Sequence, residues 1–423
     1  MILIMNSNIK TVVSTGQGRL HLIDSAASFK KLGLHVKVIT GWVPSNKIPD
    51  YFLNLLGRFL GRKNLAYGLR KRTSTLLTQD EIKNCTYSEF LIQFLFILSN
   101  LKVIKRDTAA VLGWRAYGLE SKKHIKGCDV FHVRSGAGRG GAIDLAKKLK
   151  IKVVVDHSIA HPVELYNQLL KANNGEDPDA FVSPNSLFWK TVVEDCKQAD
   201  IIQVNSEYVK ESFIENGFSK SRISVIHLGV RDDFYDLKKS YVAEDKIKIL
   251  FTGGFGLRKG GMIIIKAISI LIEKNINFRL DIVGSLLKDI KIPDWFSNNC
   301  SVYLHGHIPQ ENLMSYLSES DIYIFPSYCE GSAQSVKEAM AAGIPVITTK
   351  ESGAPIVSGQ NGIIIKNDSA TDLSLAIIDL ANDQSHRSYI GVNAAKTIKA
   401  EHTWDKYAEN TMLMYDELIR DYL

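Results

Sequence analysis

Short apolar runs recur along this chain, and each is followed by a helical or loop segment. Met1–Met5, His35–Thr40, Asp129–Arg134, Lys152–Asp156, Ile201–Asn205 and Arg222–His227 make a first set. Lys246–Thr252, Phe278–Gly284, Ser301–Gly306, Asp321–Ser327, Pro345–Thr349 and Gly362–Lys366 make a second. Strands that alternate with helices predict parallel sheets with helices on both faces. At 423 residues the chain is too long for a single core. The two sets therefore predict an α/β protein of two similar doubly wound domains. The expected division is 1–230, a polar linker at 231–245, a second domain at 246–400, and a last helical segment at 401–423, centred on Trp404–Arg420.

Charge is distributed unevenly. Residues 1–150 hold 25 Lys and Arg against 9 Asp and Glu, a net of +16, and residues 151–423 carry a net of −9. One face should attract an anionic partner, either a membrane surface or nucleic acid. The excess centres on residues 41–128, which are too long for a simple crossover and hold 15 basic against 6 acidic residues. There Phe52, Leu55, Leu56, Phe59 and Leu60 fall at helical spacing beside Arg58, Arg62, Lys63, Arg70, Lys71 and Arg72. Such a stripe fits a helix lying in a membrane interface. It fits equally a core-facing helix with a solvated basic side. Gly57 and Gly61 weaken either helix by about 1 kcal/mol each. The apolar run Phe90–Leu98 is far shorter than the roughly 20 residues of a membrane span, and a buried helix is expected. The five scattered cysteines have no metal or redox spacing and read as reduced cytosolic thiols. The opening Met-Ile-Leu-Ile-Met-Asn reads as a buried strand rather than a signal peptide.

The stretch from Pro326 to Pro345 carries the most chemistry. A strand ends at Pro326, a helix runs from Ala333 to Ala342 and stops at Gly343, and another strand follows at once. Glu330 falls on the turn and Glu338, eight positions on, within the helix. Parallel sheets bind ligands at the carboxyl ends of their strands, and free helix-start amides at Ser332, Ala333, Gln334 and Ser335 would face an anion. Two carboxylates beside such amides suit a ligand with hydroxyls at one end and phosphate in the middle. By spacing alone the two glutamates are an ordinary solvated helix face. The second glycine-rich feature is Thr252-Gly253-Gly254-Phe-Gly-Leu-Arg258-Lys259-Gly-Gly261, after the first strand of the second set. Glycines let the backbone approach a diphosphate, and Arg258 and Lys259 would neutralise it. The spacing is wrong for a dinucleotide fingerprint.

With Pro326-Ser327, Glu330-Gly331, Glu338-Ala-Met-Ala341, Gly343 and Pro345-Val-Ile347 around it, this stretch resembles the donor site of the retaining group 1, or family 4, glycosyltransferases. The resemblance implies a GT-B fold, two Rossmann-like domains facing a central cleft, with the C-terminal helix crossing back to the first. It implies that Glu330 contacts the transferred sugar and Glu338 the ribose hydroxyls of a nucleotide-diphosphate sugar. Lys259 heads its helix as in the family. An arginine usual several residues upstream is replaced by Gly254, and Arg258 adjoins the lysine instead. The resemblance also places Gly16, Gly18 and Arg19 on a cleft loop near the acceptor and the donor phosphates. It puts a cleft histidine on the transferred sugar, best matched by His157 and next by His132 or Arg134. A satisfied structural histidine is the alternative for each.

The expected activity is transfer of a hexose-type sugar to an acceptor hydroxyl with retention of configuration. No cofactor and no metal are expected, since Arg258 and Lys259 can stabilise the leaving diphosphate. On family grounds the acceptor is a lipid-linked glycan of bacterial surface polysaccharide or lipopolysaccharide synthesis. The expected location is cytoplasmic, on the inner face of an anionic membrane, with no nucleic-acid partner. Rival readings are a nucleotide-sugar epimerase of the same fold, for which no clear acid–base carboxylate pair stands out, and a basic membrane- or nucleic-acid-binding protein with a degenerate site.

Overall fold

A computed structural model describes residues 9–18, 21–45, 47–59, 64–178 and 182–420. The first domain is built on β1 (Lys10–Ser14), β2 (His35–Thr40), β3 (Ile82–Asn84), β4 (Val130–Arg134), β5 (Lys152–His157), β6 (Ile201–Val204) and β7 (Ile223–Val225). These strands pair in parallel in the order β3-β2-β1-β4-β5-β6-β7. The second domain uses β8 (Ile247–Thr252), β9 (Phe278–Val283), β10 (Val302–Gly306), β11 (Ile322–Phe325), β12 (Val346–Thr349) and β13 (Ile363–Ile365). Their order is β10-β9-β8-β11-β12-β13, again parallel. The central strands are nearly all apolar and buried on both faces, as in Ile322-Tyr-Ile-Phe325, because helices cover both sides. Strand order reverses between β1 and β4 in one sheet and between β8 and β11 in the other. Each reversal opens a crevice at the carboxyl ends of the strands.

The expected first strand, Met1–Met5, lies outside the described residues. The structure places β1 at Lys10–Ser14, and it adds β3, a three-residue edge strand too short to leave a periodic signal. Residues 231–245 are not a free linker. Phe234 is fully buried in the second core, and Lys238, itself buried, reaches Ser320 O at 2.8 Å and Asp321 Oδ1 at 3.1 Å. The crossing back is made by two adjacent segments: Val230 bridges Thr403, and its amide donates to His402 O at 2.9 Å. The helix Trp404–Arg420 then packs on α1 (Leu22–Lys31). It buries Tyr407, Met412 and Tyr415 in the first core, and Ser25 donates to the Tyr407 hydroxyl at 2.9 Å.

Between β2 and β4 lie α2 (Asp50–Phe59), α3 (Leu65–Arg70), α4 (Thr86–Asn100) and α5 (Arg106–Ser121). Here one expectation changes and one open choice narrows. On α2, Leu53 is buried, but Phe52, Leu55 and Leu56 of the stripe are exposed and do not face a core. The run Phe90–Leu98 is helical yet only half buried. Ile92 and Leu95 turn inward, while Phe90, Phe94 and Ile97 stand on an outer face. The basic patch is also partly dismantled. Arg72 is buried and forms a two-pronged pair with buried Glu89 at 2.8 and 3.2 Å. Arg70 pairs with Asp50 at 2.6 Å and donates to Ile48 O. Lys71 sits over the Tyr67 ring at 4.0 Å, Arg58 is exposed, and Arg62 and Lys63 lie outside the described residues. No helix among the described residues is long and apolar enough to cross a membrane.

Candidate active site

The second sheet's crevice is assembled by two loops that lock together. The loop after β8 turns at Gly260, where φ is +77° and a Cβ would stand 2.0 Å from Pro326 O. Only glycine fits that approach. The Arg258 carbonyl accepts from Tyr328 N at 2.8 Å and from Ser327 Oγ at 3.0 Å, which fixes the loop against the end of β11. Lys259 consequently folds back over Gly253 and lies 4.8 Å above the Phe325 ring. Its Nζ is 3.6 Å from Glu330 Oε1, and Arg258 Nη1 is 2.7 Å from the same oxygen while donating to Cys329 O at 2.7 Å. Burial pushes the Lys259 ammonium below its ordinary range, Glu330 opposes this and Arg258 adds to it. Two cations around one carboxylate leave the pocket net positive.

The Glu330 turn is held by Glu330 N to Glu351 O and Ala333 N to Ser352 O, both 2.8 Å. The Ala333 amide is therefore occupied and cannot serve a ligand, contrary to expectation. The amides of Ser332, Gln334 and Ser335 make no hydrogen bond to any described residue. Those of Gln334 and Ser335 open the helix Gln334–Ala342 beside Arg258 and Lys259, a geometry suited to an anion. The Gln334 side chain turns the other way and donates to Gly229 O at 3.0 Å. Lys337, fully buried one turn on, donates to Leu228 O at 2.7 Å. The helix is thus tied to the segment where the domains cross. Lys337 was missed in the sequence, where a lysine in a helix reads as solvated. Burial pushes its ammonium down to about 7. Burial likewise pushes the Glu338 carboxyl up to about 7, against the pull of Arg231 and Lys337.

The two domains touch at this turn. Gly331 backs onto the end of β5, where a Cβ would lie 1.9 Å from Ser158 O, and Ser206 Oγ donates to Gly331 O. Glu330 is thereby brought next to the loop that follows His157. His157 ends β5, with Nδ1 hydrogen-bonded to Ser135 Oγ at 2.9 Å and its ring edge on Phe213. Its Nε2 is buried with no hydrogen-bond partner among the described residues. Burial pushes its pKa down to about 4, so it is a neutral imidazole near pH 7. His132 is structural instead: it is fully buried against Tyr415 of the crossing helix. Burial would raise the Asp156 carboxyl, but His21 at 3.0 Å and His132 at 3.7 Å hold it well below the usual range. Gly16 and Gly18 lie on the loop after β1, joined to α4 by Gln17 Nε2 donating to Ser88 O. Arg19 is outside the described residues. No three His, Cys, Asp or Glu side chains gather as a metal-ligand set among the described residues.

Two doubly wound domains closing on a cation–carboxylate crevice define the architecture of the GT-B glycosyltransferases. Residues 233–397 match the sequence model of the glycosyl transferases group 1 family. An uncharacterised glycosyltransferase of Methanocaldococcus jannaschii is 26% identical over 377 residues, spanning 87% of this chain and 96% of that one. The amylovoran biosynthesis glycosyltransferase AmsK of Erwinia amylovora is 24% identical over 364 residues, 81% and 84% of the two chains. The solved structure of Anabaena HepE in complex with UDP superposes with a TM-score of 0.62 at 14% identity, covering 97% of this chain and 100% of that one. The second domain thus carries the group 1 glycosyl transferase pattern, and the chain as a whole resembles glycosyltransferases along most of its length.

Proposed function

We propose that the protein transfers a hexose-type sugar, with retention, from a nucleotide-diphosphate sugar to a hydroxyl of a lipid-linked glycan. The observation that carries the donor half is the meeting of Arg258, Lys259, Glu330 and the free amides of Gln334 and Ser335 in one crevice. As the sugar–diphosphate bond breaks, negative charge collects on the leaving phosphate, and these groups stabilise it. Glu330 is then placed to accept sugar hydroxyls and Glu338 ribose hydroxyls. HepE, which shares the fold, binds UDP, and a relative serves amylovoran synthesis. A surface-polysaccharide role, with lipopolysaccharide as a neighbouring possibility, follows from that relative. The test is a donor screen followed by NMR of the product anomer. The donor's configuration should be kept, and EDTA should leave the rate intact. An inverted anomer, or activity lost to EDTA and restored by manganese, would overturn the reading.

Glu338 accepts ribose hydroxyls more strongly as a carboxylate than as a neutral acid. With its pKa pushed up to about 7, nucleotide affinity should rise as pH climbs from about 6 to 8. UDP binding to wild type should strengthen over that interval relative to Glu338→Gln, whose own profile carries the titrations of the phosphate and of Lys337 but not of residue 338. A constant ratio between the two proteins would remove Glu338 from the ribose. At pH 8, Glu338→Ala should weaken UDP by roughly tenfold to a hundredfold, the worth of about 1.5–3 kcal/mol for bonds to a charged acceptor.

The acceptor half of the reading is supported by the outer face of the first domain. Phe90, Phe94 and Ile97 of α4 and Leu56 of α2 border a cavity of about 190 Å³ floored by Trp42, Leu65 and Leu69. Exposed Arg58, Lys102 and Lys105 supply cations around it. Apolar side chains flanked by cations suit an anionic bilayer, each cation contributing about 1 kcal/mol near its surface. Co-sedimentation with phosphatidylglycerol vesicles should fall with salt and fall again in Phe90→Ser/Phe94→Ser. Equal binding to neutral vesicles, or none to either, would return this face to solvent.

A further inference from the structure

We propose that the first domain's own switch point, between β1 and β4, is an oxyanion subsite for the acceptor, with Arg134 as its cation; this rests on the glycosyltransferase reading above. Arg134 ends β4, and its register partner on β5 is Asp156. Its guanidinium makes no hydrogen bond or ion pair with any described residue. Its Cζ lies 5.7 Å from the centre of the Trp114 ring. The loop after β1 runs alongside, with Nη1 3.6 Å from where a Cβ of Gly18 would stand, an ordinary contact distance.

The five N–H donors of Arg134 are unmatched by any described protein group and remain open to solvent, so a ligand can take them by displacing water. The nearest carboxylate does not, since Asp156 is engaged by His21 and His132. Burial depresses the guanidinium pKa, and Asp156 and Tyr117 counter this only through space. An arginine beside a ring and a glycine loop, with no described protein partner, offers the planar fork that matches a phosphate or a carboxylate. The donor diphosphate already has Arg258 and Lys259 at the second sheet's switch point. The matching position in the first sheet is left for the other substrate. The ligand class is therefore an acceptor bearing a phosphate or a carboxylate close to the hydroxyl that receives the sugar.

Inorganic phosphate and glucuronate, titrated separately at constant ionic strength into protein saturated with UDP, test this by calorimetry. One of them should bind wild type and weaken by about tenfold or more in Arg134→Gln, with partial recovery in Arg134→Lys and UDP affinity unchanged in both. Which one binds distinguishes a phosphate-bearing from a carboxylate-bearing acceptor. The proposal is overturned if neither binds wild type, if Arg134→Gln binds as well, or if UDP affinity falls in parallel, which would move Arg134 to the donor site. Failure of wild type to bind UDP would instead count against the donor reading, and the titrations without UDP would still decide the role of Arg134.

Discussion

Lys259→Ala should lower kcat by about 10²–10³-fold, the loss seen when one preorganised donor to a developing oxyanion is removed, while the affinity for the intact nucleotide sugar changes far less. The asymmetry follows from the surroundings of the ammonium. In the free protein Lys259 is buried over Phe325 with Glu330 at 3.6 Å, so part of its charge is already compensated. Its value rises when the bond to the sugar breaks and a full charge appears on the diphosphate. An interaction that strengthens only in the transition state appears in kcat rather than in binding. Arg258 should behave differently. Its guanidinium is also tied to Cys329 O, so Arg258→Ala removes a bond that holds the turn and costs binding as well. Initial rates over a range of concentrations of the donor found by screening make the comparison. A Lys259→Ala variant with unchanged kcat, or with losses confined to KM for the donor, would show that the lysine only holds the loop.

The second domain was legible because its strands are mostly apolar runs bounded by turns, and all six fall where the sequence puts them. The first domain was harder to read. Lys10-Thr-Val-Val-Ser14 contains three polar residues and looks less like a strand than the apolar leader before it, yet β2 and β4 on either side bury most of it. The basic patch was misjudged for a related reason. Charge can be counted along a chain, but Arg70 and Asp50 are twenty residues apart and Arg72 and Glu89 seventeen. Nothing in the local pattern announces that these cations are already paired. The same blindness hid Lys337, whose partner is a backbone carbonyl more than a hundred positions away. Arg134 stood second to His157 in the sequence because its distinguishing property, the lack of a described partner, exists only in three dimensions.

Glu89→Ala should cost the first domain about 3–5 kcal/mol, the usual result of stripping one member from a buried ion pair. Both side chains are nearly enclosed, at 9% exposure for Arg72 and 5% for Glu89. Every carboxylate oxygen is used: Oε2 takes Arg72 Nη1 at 2.8 Å, and Oε1 takes Arg72 Nη2 at 3.2 Å and Gln93 Nε2 at 2.9 Å. Truncation leaves a guanidinium in the interior with Trp42 O, at 3.2 Å, as its one remaining described partner. The desolvation cost of that charge, not the lost attraction, dominates the penalty. Removing both partners should therefore hurt less than removing one. Arg72→Met/Glu89→Leu keeps similar volume and should recover most of the stability. Urea unfolding of the three proteins at pH 7 reads the difference. A single variant within 1 kcal/mol of wild type, or a double variant no better than the single, would mean that water reaches the pair and screens it. The same geometry governs how membrane attachment must be probed. Arg72→Ser would reduce vesicle binding by loosening α3 and α4 beneath the apolar face, whether or not a cation touches lipid. Substitutions at exposed Lys102 and Lys105 leave this buried pair intact and report on the surface alone.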